Sequence, residues 1–312
     1  MVGRGDIRQS TLKDAVVLEG TGVHGGKSAT ITLLPADPDT GICFVRSDTD
    51  ARQMAATADS VGATQLCTAL GAGAGCVATI EHLMAALRAM AIDNVLVEVE
   101  GGEVPILDGS AQPFVEAIES VGRATSTRPR RFIKILRPVT VVEGASRAEL
   151  GVHDGFFLDV EIDFDEPLIG RQRFAAELTP AVFRKDLARA RTFGFLNDVE
   201  GLWKRGLALG ASLENAVVIG DGRVLNPEGL RFRDEFVRHK ALDAIGDLAL
   251  AGAPILGSYR SFRGGHKLNV AAVAALLGQP DAWTFVEAAP RPPVHAELPA
   301  GVAMPAYGPE TS

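Results

Sequence analysis

Residues 234–247, Asp-Glu-Phe-Val-Arg-His-Lys-Ala-Leu-Asp-Ala-Ile-Gly-Asp, constrain the fold more than any other part of this chain. Read as a helix, the stretch sets His239, Asp243 and Asp247 four residues apart on one face. Phe236, Leu242 and Ile245 supply apolar positions that bury much of the remainder. An imidazole nitrogen and a carboxylate oxygen one turn apart can share a divalent metal. An isolated His-x-x-x-Asp is more often a surface pair, so the metal reading depends on a third ligand elsewhere.

That ligand is offered far upstream, in Thr79-Ile80-Glu81-His82-Leu83-Met84-Ala85-Ala86-Leu87. Thr79 is expected to cap a helix over 79–90, with Leu83, Ala86, Leu87 and Met90 forming its apolar face. Glu81 and His82 then fall in the first turn, where the helix dipole favours negative charge. Adjacent residues project about 100° apart, so one ion does not take both in the same way. With His82 as the ligand, Glu81 is left as a general base acting on water. A charged first turn on an ordinary core helix is the plainer alternative. Together His82, His239 and Asp243 give two imidazoles and a carboxylate, the three-ligand pattern of a catalytic zinc site with one open position. Iron(II) suits the same donors.

Two further segments complete a reaction centre. In Arg191-Thr192-Phe193-Gly194-Phe195 a hydroxyl stands between large apolar residues, where it can donate to a developing oxyanion. Phe-Gly-Phe is otherwise the mark of a buried strand. Gly264-Gly265-His266 is expected to present a histidine on a glycine-rich turn, and a solvated loop histidine is the commoner case. Asp247 can hold His266 charged, as a general acid.

These segments carry a resemblance that extends through most of the chain. Gly20-Thr21-Gly22-Val23-His24, Thr64-Gln65-Leu66-Cys67-Thr68, Glu81-His82-Leu83 and Asp108-Gly109-Ser110-Ala111 belong to it. So do Arg191 to Phe195, Gly206-Leu207-Ala208-Leu209-Gly210, Arg238-His239-Lys240, Asp243 to Asp247 and Gly265-His266. In that order, from about residue 8 to about 277, the chain closely resembles the UDP-3-O-acyl-N-acetylglucosamine deacetylases, zinc enzymes of lipid A synthesis in Gram-negative bacteria. The resemblance implies that His82, His239 and Asp243 bind one zinc per chain and that Glu81 is the base. It also implies that Thr192 and Lys240 assist the oxyanion, and that His266 with Asp247 serves the leaving amine.

The implied substrate is a UDP-linked acylated glucosamine, met in the cytoplasm by a monomer. Its acyl chain would lie in an apolar passage formed by an insert, with Phe193, Leu196, Val199, Ala211, Leu213, Ala216 and Val218 as candidate contacts. Leu66, Cys67 and Lys240 are candidate contacts beside the reacting group. Gly25, Ala211 and Val270 stand where the family usually has serine, glycine and asparagine, and none of the three is a proposed ligand or base. Two other readings remain open: a UDP-sugar or lipid binder that has lost catalysis, and a zinc amidase for another acylated sugar. Glu81 argues against the binder, which has no use for a base beside a metal.

The implied fold is α+β, two similar β-α-α-β sandwich domains with their helices packed between the sheets and an insert in each. Residues 1–125 and 126–280 are expected to form the domains, and 281–312, rich in proline and alanine, a flexible tail. Residues 122–131 are polar and basic, and are expected to be a solvated linker between the two. Gly20, Gly22 and Gly25 match G-x-G-x-x-G, but a dinucleotide site needs a helix next, and Ala29 to Leu34 is a β-type run.

Net charge is −8, which argues against a general affinity for nucleic acid and requires local cations, such as Lys240 and Arg263, beside a UDP group. Cys43, Cys67 and Cys76 form no Cys-x-x-Cys pair and are odd in number, which fits reduced thiols in the cytosol. No apolar leader opens the chain and no run approaches membrane-spanning length, so stable membrane insertion is not expected.

Overall fold

The computed structural model describes residues 7–50 and 52–288. Among the described residues six α-helices are numbered in chain order: α1 Glu81–Ala89, α2 Gln112–Val121, α3 Pro180–Val182, α4 Leu196–Lys204, α5 Glu235–Leu248 and α6 His266–Leu277.

In the first half, five strands lie in the order Val16–Thr21, Ser28–Pro35, Val95–Glu100, Ile42–Arg46, Met54–Ala55. Alternation decides which face is covered: Ala29, Ile31 and Leu33 on one strand and Val95, Val97 and Val99 on its neighbour are buried. That face joins one apolar core with α1 and α2. The second half has a seven-stranded sheet. Its main path runs Val139–Glu143, Ser146–Gly151, Ile255–Phe262, Arg131–Ile135, Trp283–Glu287, while Phe156–Asp163 and Arg171–Glu177 branch from Ile255–Phe262. Here α5 and α6 cover the sheet, and α1 packs against α5 across the middle. The expected architecture, helices between two sheets, is the one observed.

Gly246 is what lets the halves meet. A Cβ at this position would collide with the carbonyl oxygen of Glu81, so the α5 backbone rests directly on the start of α1. Twelve of the fourteen residues of α5 are buried. A helix enclosed on nearly all sides must have its polar side chains partnered inside the protein or holding something there.

Each half carries an insert. In the first, Val61–Ala63 pairs with Ala69–Leu70. In the second, Phe193–Phe195 runs parallel to Val217–Gly220, which pairs with Arg223–Val224, and α4 bridges the parallel pair.

Several expectations need correction. Residues 123–129 are a strand, antiparallel to Arg8–Leu12 with Ser10 opposite Thr125. Small and β-branched residues at alternating positions suit an edge strand, and the basic run is spent on ion pairs: Arg128 with Asp39 at 3.0 Å and Arg130 with Asp93 at 2.8 Å. The ordered fold also continues past residue 280, because Trp283–Glu287 pairs antiparallel with Arg131–Ile135. The remainder of the expected tail, 289–312, lies outside the described residues. Thr79 does not cap α1. Its φ is +59° and its hydroxyl donates to Glu103 Oε1 at 2.8 Å, while Ile80 occupies the cap position without a side-chain bond. His266 is not on a turn but is the first residue of α6, and it is buried. Among the described residues no helix is long and apolar enough to cross a membrane.

Candidate active site

The seam between α1 and α5 gathers the polar residues of both halves. His82, on the second residue of α1, faces His239 and Asp243 on α5. One ligand atom from each lies within 4.8 Å of the others, and all three residues are buried. Asp243 Oδ1 stands 3.6 Å from His82 Nε2 and 3.3 Å from His239 Nε2. That oxygen is sealed from solvent yet accepts no hydrogen bond. An orphaned buried carboxylate oxygen beside two imidazole nitrogens is costly unless a cation takes it up.

The electrostatics agree. His239 Nδ1 lies 3.1 Å from the carbonyl of Ala190, which can only accept, so Nδ1 carries the proton and Nε2 presents a lone pair. Burial pushes the His239 imidazole down to about 3, so it is neutral. Burial opposes charge on Asp243 as well, but His239 and Lys240 more than offset it and hold the carboxyl well below its usual range. Neutral imidazole and ionised carboxylate are the states that bind a divalent metal. The donor set therefore fits the metal that the sequence implies.

Glu81 stands beside this group. Its Oε2 accepts the Thr68 N–H at 3.0 Å, and its Oε1 lies 3.9 Å from His266 Nε2. Burial raises the carboxyl above its ordinary value, as a general base at neutral pH requires. His266 Nδ1 lies 2.9 Å from Asp247 Oδ2. Burial works against a charged imidazole there, but Asp247 and Glu81 overcome it and raise His266 to about 9. Its Nε2 faces Glu81 and Asp243, each 3.9 Å away.

Asp247 does not reach the cleft. It anchors a buried network: Thr68 Oγ1 donates to Oδ1 at 2.6 Å, and Asn269 Nδ2 donates to Oδ2 at 2.8 Å. Asn269 in turn accepts from the Tyr259 hydroxyl at 2.5 Å. Thr68, Asn269 and Tyr259 carry no expected role in the sequence, because they and Asp247 are brought together by the tertiary fold. Arg191 and Glu235 form a second missed support. Arg191 is 1% exposed; its Nε–H donates to Glu235 Oε1 at 2.9 Å, and its backbone N–H donates to the same oxygen at 3.0 Å. This pair ties the start of α5 to the residue preceding Thr192.

The ligands and Glu81 open into a cleft of about 960 Å³. Of the expected substrate contacts, Leu66, Phe193, Val199, Ala211, Ala216, Val218 and Lys240 line it, as do Thr192 and His266. Leu196, Leu213 and Cys67 do not. Leu196 and Leu213 are 46% and 42% exposed, and Leu196 packs towards Gly220. Cys67 is buried, with its thiol pushed up to about 12 by burial and the Glu81 charge. Lys240 Nζ donates to Asp243 Oδ2 at 2.7 Å on the cleft wall. Arg205, Arg263 and Lys267 also line the cleft, Arg263 paired with Asp163 at 2.9 Å and Lys267 with Glu143.

One junction fixes the insert over the cleft from the other half of the chain. The N–H groups of Leu209 and Gly210 donate to the carbonyls of His24 and Val23 at 3.1 and 3.0 Å. A Cβ on Gly210 would strike the Gly22 carbonyl, so only glycine permits this approach. Glu103 holds the other side, accepting the N–H groups of His24 and Gly25 at 2.9 and 3.0 Å.

Comparison with known proteins agrees with this geometry. Residues 9–278 match the family described as LpxC, UDP-3-O-acyl N-acetylglycosamine deacetylase. Proteins of Brucella ovis, Brucella canis and Brucella abortus named UDP-3-O-acyl-N-acetylglucosamine deacetylase are each 56% identical over 282 residues, 90% of this chain and 99% of each relative. A match that spans both domains and every residue of the α1–α5 seam places this chain in the UDP-3-O-acyl-N-acetylglucosamine deacetylase family.

Proposed function

We propose that this chain removes the N-acetyl group of a UDP-3-O-acyl-N-acetylglucosamine, giving acetate and the free amine, as a zinc-dependent monomer in the cytoplasm. The observation that carries the reading is the meeting of an orphaned Asp243 oxygen, two imidazole Nε2 atoms, a free Glu81 oxygen and a charged His266 at the floor of one cleft. His82, His239 and Asp243 would hold the zinc, which supplies Lewis acidity that makes water nucleophilic near neutral pH and polarises a carbonyl.

The protein's own residues do the rest. Glu81 Oε1 takes a proton from the attacking water as a new C–O bond forms at the acetyl carbon. Thr192 and Lys240, on the same cleft wall, offer donors to the oxygen that gains negative charge. His266 Nε2–H then protonates the sugar nitrogen as the C–N bond breaks, and Asp247 keeps the imidazole charged and oriented. Arg205, Arg263 and Lys267 offer donors to UDP phosphates on the same lining, Arg263 and Lys267 by exchanging their present partners Asp163 and Glu143. The insert wall of Phe193, Val199, Ala211, Ala216 and Val218 receives the acyl chain.

Acetate release from UDP-3-O-acyl-N-acetylglucosamine, compared with UDP-N-acetylglucosamine, tests this reading. Rapid release from the acylated sugar and little from the other is expected. Release from neither, with zinc bound, would leave a binding protein as the better account.

A further inference from the structure

The helices that carry the reaction centre have a second cavity at their far ends. His82 lies in the first turn of α1 and His239 and Asp243 near the middle of α5, and both helices continue past them. Their C-terminal ends border a separate space of about 190 Å³. Phe132, Leu178, Ile245, Leu248 and Ile255 are among the apolar residues of its wall, and two guanidinium groups, Arg88 and Arg130, also line it.

The two cations are not equivalent. Arg130 is committed: its Nε donates to Asp93 Oδ1 at 2.8 Å and its guanidinium lies 5.4 Å over the Phe132 ring. Arg88 is not, for its Nε is sealed from solvent and meets no acceptor. Burial pushes the Arg88 guanidinium down to about 10, with Asp93 opposing, and it stays charged at neutral pH. Asp93 is thus shared between two guanidiniums, while its Oδ2 also accepts the Ser10 N–H at 3.0 Å. Arg130 takes up Asp93 Oδ1, and the Arg88 Nε is left without an acceptor. Glu177, also in the lining, is occupied by His153 Nε2 at 2.7 Å and by the Phe156 N–H at 3.1 Å.

An apolar pocket edged by a guanidinium whose Nε has no acceptor suits a ligand with an apolar body and a single negative charge. A phosphate dianion would exceed the charge available, and a neutral hydrocarbon would leave Arg88 unpaired. We propose that this cavity binds a medium-chain fatty carboxylate, with its head on Arg88 and its chain along Phe132, Leu178, Ile245 and Leu248. The size limits the chain. An apolar cavity of about 150 Å³ accepts the six carbons of benzene, so this one encloses about seven or eight. The inference is independent of the cleft chemistry, and it places a ligand against the same two helices that present the metal-site residues.

The test is calorimetric titration of the full chain with butanoate, hexanoate, octanoate, dodecanoate and octan-1-ol. Affinity should rise about fourfold per added carbon up to octanoate and then level off. Octan-1-ol should bind at least about tenfold more weakly than octanoate. Arg88→Met, which keeps the volume, should erase that difference, and Leu178→Trp, which fills the chamber from its half-buried rim, should abolish binding. Octanoate that binds equally well to wild type and both variants would be in the substrate cleft instead, and would overturn the proposal. Equal affinity for octanoate and octan-1-ol in the wild type would reduce the cavity to an apolar void and overturn it too, as would the absence of any binding.

Discussion

The α1–α5 seam and the insert that walls the cleft differ in how their residues are held. In the seam several side chains are held by buried partners. Asp247 has three partners, Asp243 is gripped by Lys240, and Gly246 seats one helix on the other. In the insert, α4 has no buried residue, and Trp203 and Leu209 are 56% and 51% exposed. The seam therefore defines what reaction is possible, and its substitutions should act on metal or rate. The insert presents exposed apolar surface, and on the proposed reading this surface meets the acyl chain, so its substitutions should shift preference among chain lengths and leave the chemistry alone.

The sharpest way to break this comparison is in the seam. His239→Ala should lose both bound zinc and acetate release, because two remaining ligands seldom hold zinc. The fall in activity should exceed the roughly 10- to 100-fold expected from disturbing groups around a metal site. Metal analysis of the purified variant decides it: one zinc per chain would remove His239 from the ligand set. Glu81→Gln comes next. It should keep its zinc and lower kcat by at least about 10²-fold, and retention of full activity would end the base assignment.

His266 gives a prediction with a sign. Its folded pKa, about 9, lies above the ordinary 6.5, so the charged acid persists at neutral pH and is lost as pH rises through about 9. Activity should fall on that limb, and His266→Ala should flatten it while zinc stays bound. The same charge contributes stability that is complete below about 6.5 and gone above about 9, so the wild-type melting temperature should fall across that window more than the variant's. A limb near 9 that survives the substitution would belong to another group.

The smallest effect belongs to the insert. Ala211 lines the cleft, and removing its methyl should improve kcat/KM for longer acyl chains several-fold more than for shorter ones. A parallel change at every chain length would mean that Ala211 does not set the preference.

How much the sequence revealed follows the same division. The i, i+4 spacing of His239 and Asp243 and the Glu81-His82 pair were legible because helical geometry converts spacing directly into position. The supports of the site were not. Thr68 and Asp247 are 179 positions apart, and Arg191 and Glu235 are 44 apart, distances set by the tertiary fold. Residues 123–129 read as a linker because polar, basic composition conceals an edge strand whose partner is the chain's own beginning. In the insert, apolar composition named the right segment but not the facing: Val199, Ala211 and Val218 line the cleft, whereas Leu196 and Leu213 do not.

The central claim is that one metal, held jointly by the two halves, is required by the residues around it for turnover. Its most direct measurement is acetate release by metal-stripped protein titrated with zinc. Activity should rise linearly to a break at about one equivalent, and the His239→Ala variant should stay at background throughout. Full acetate release by the stripped protein before any zinc is added would contradict the account.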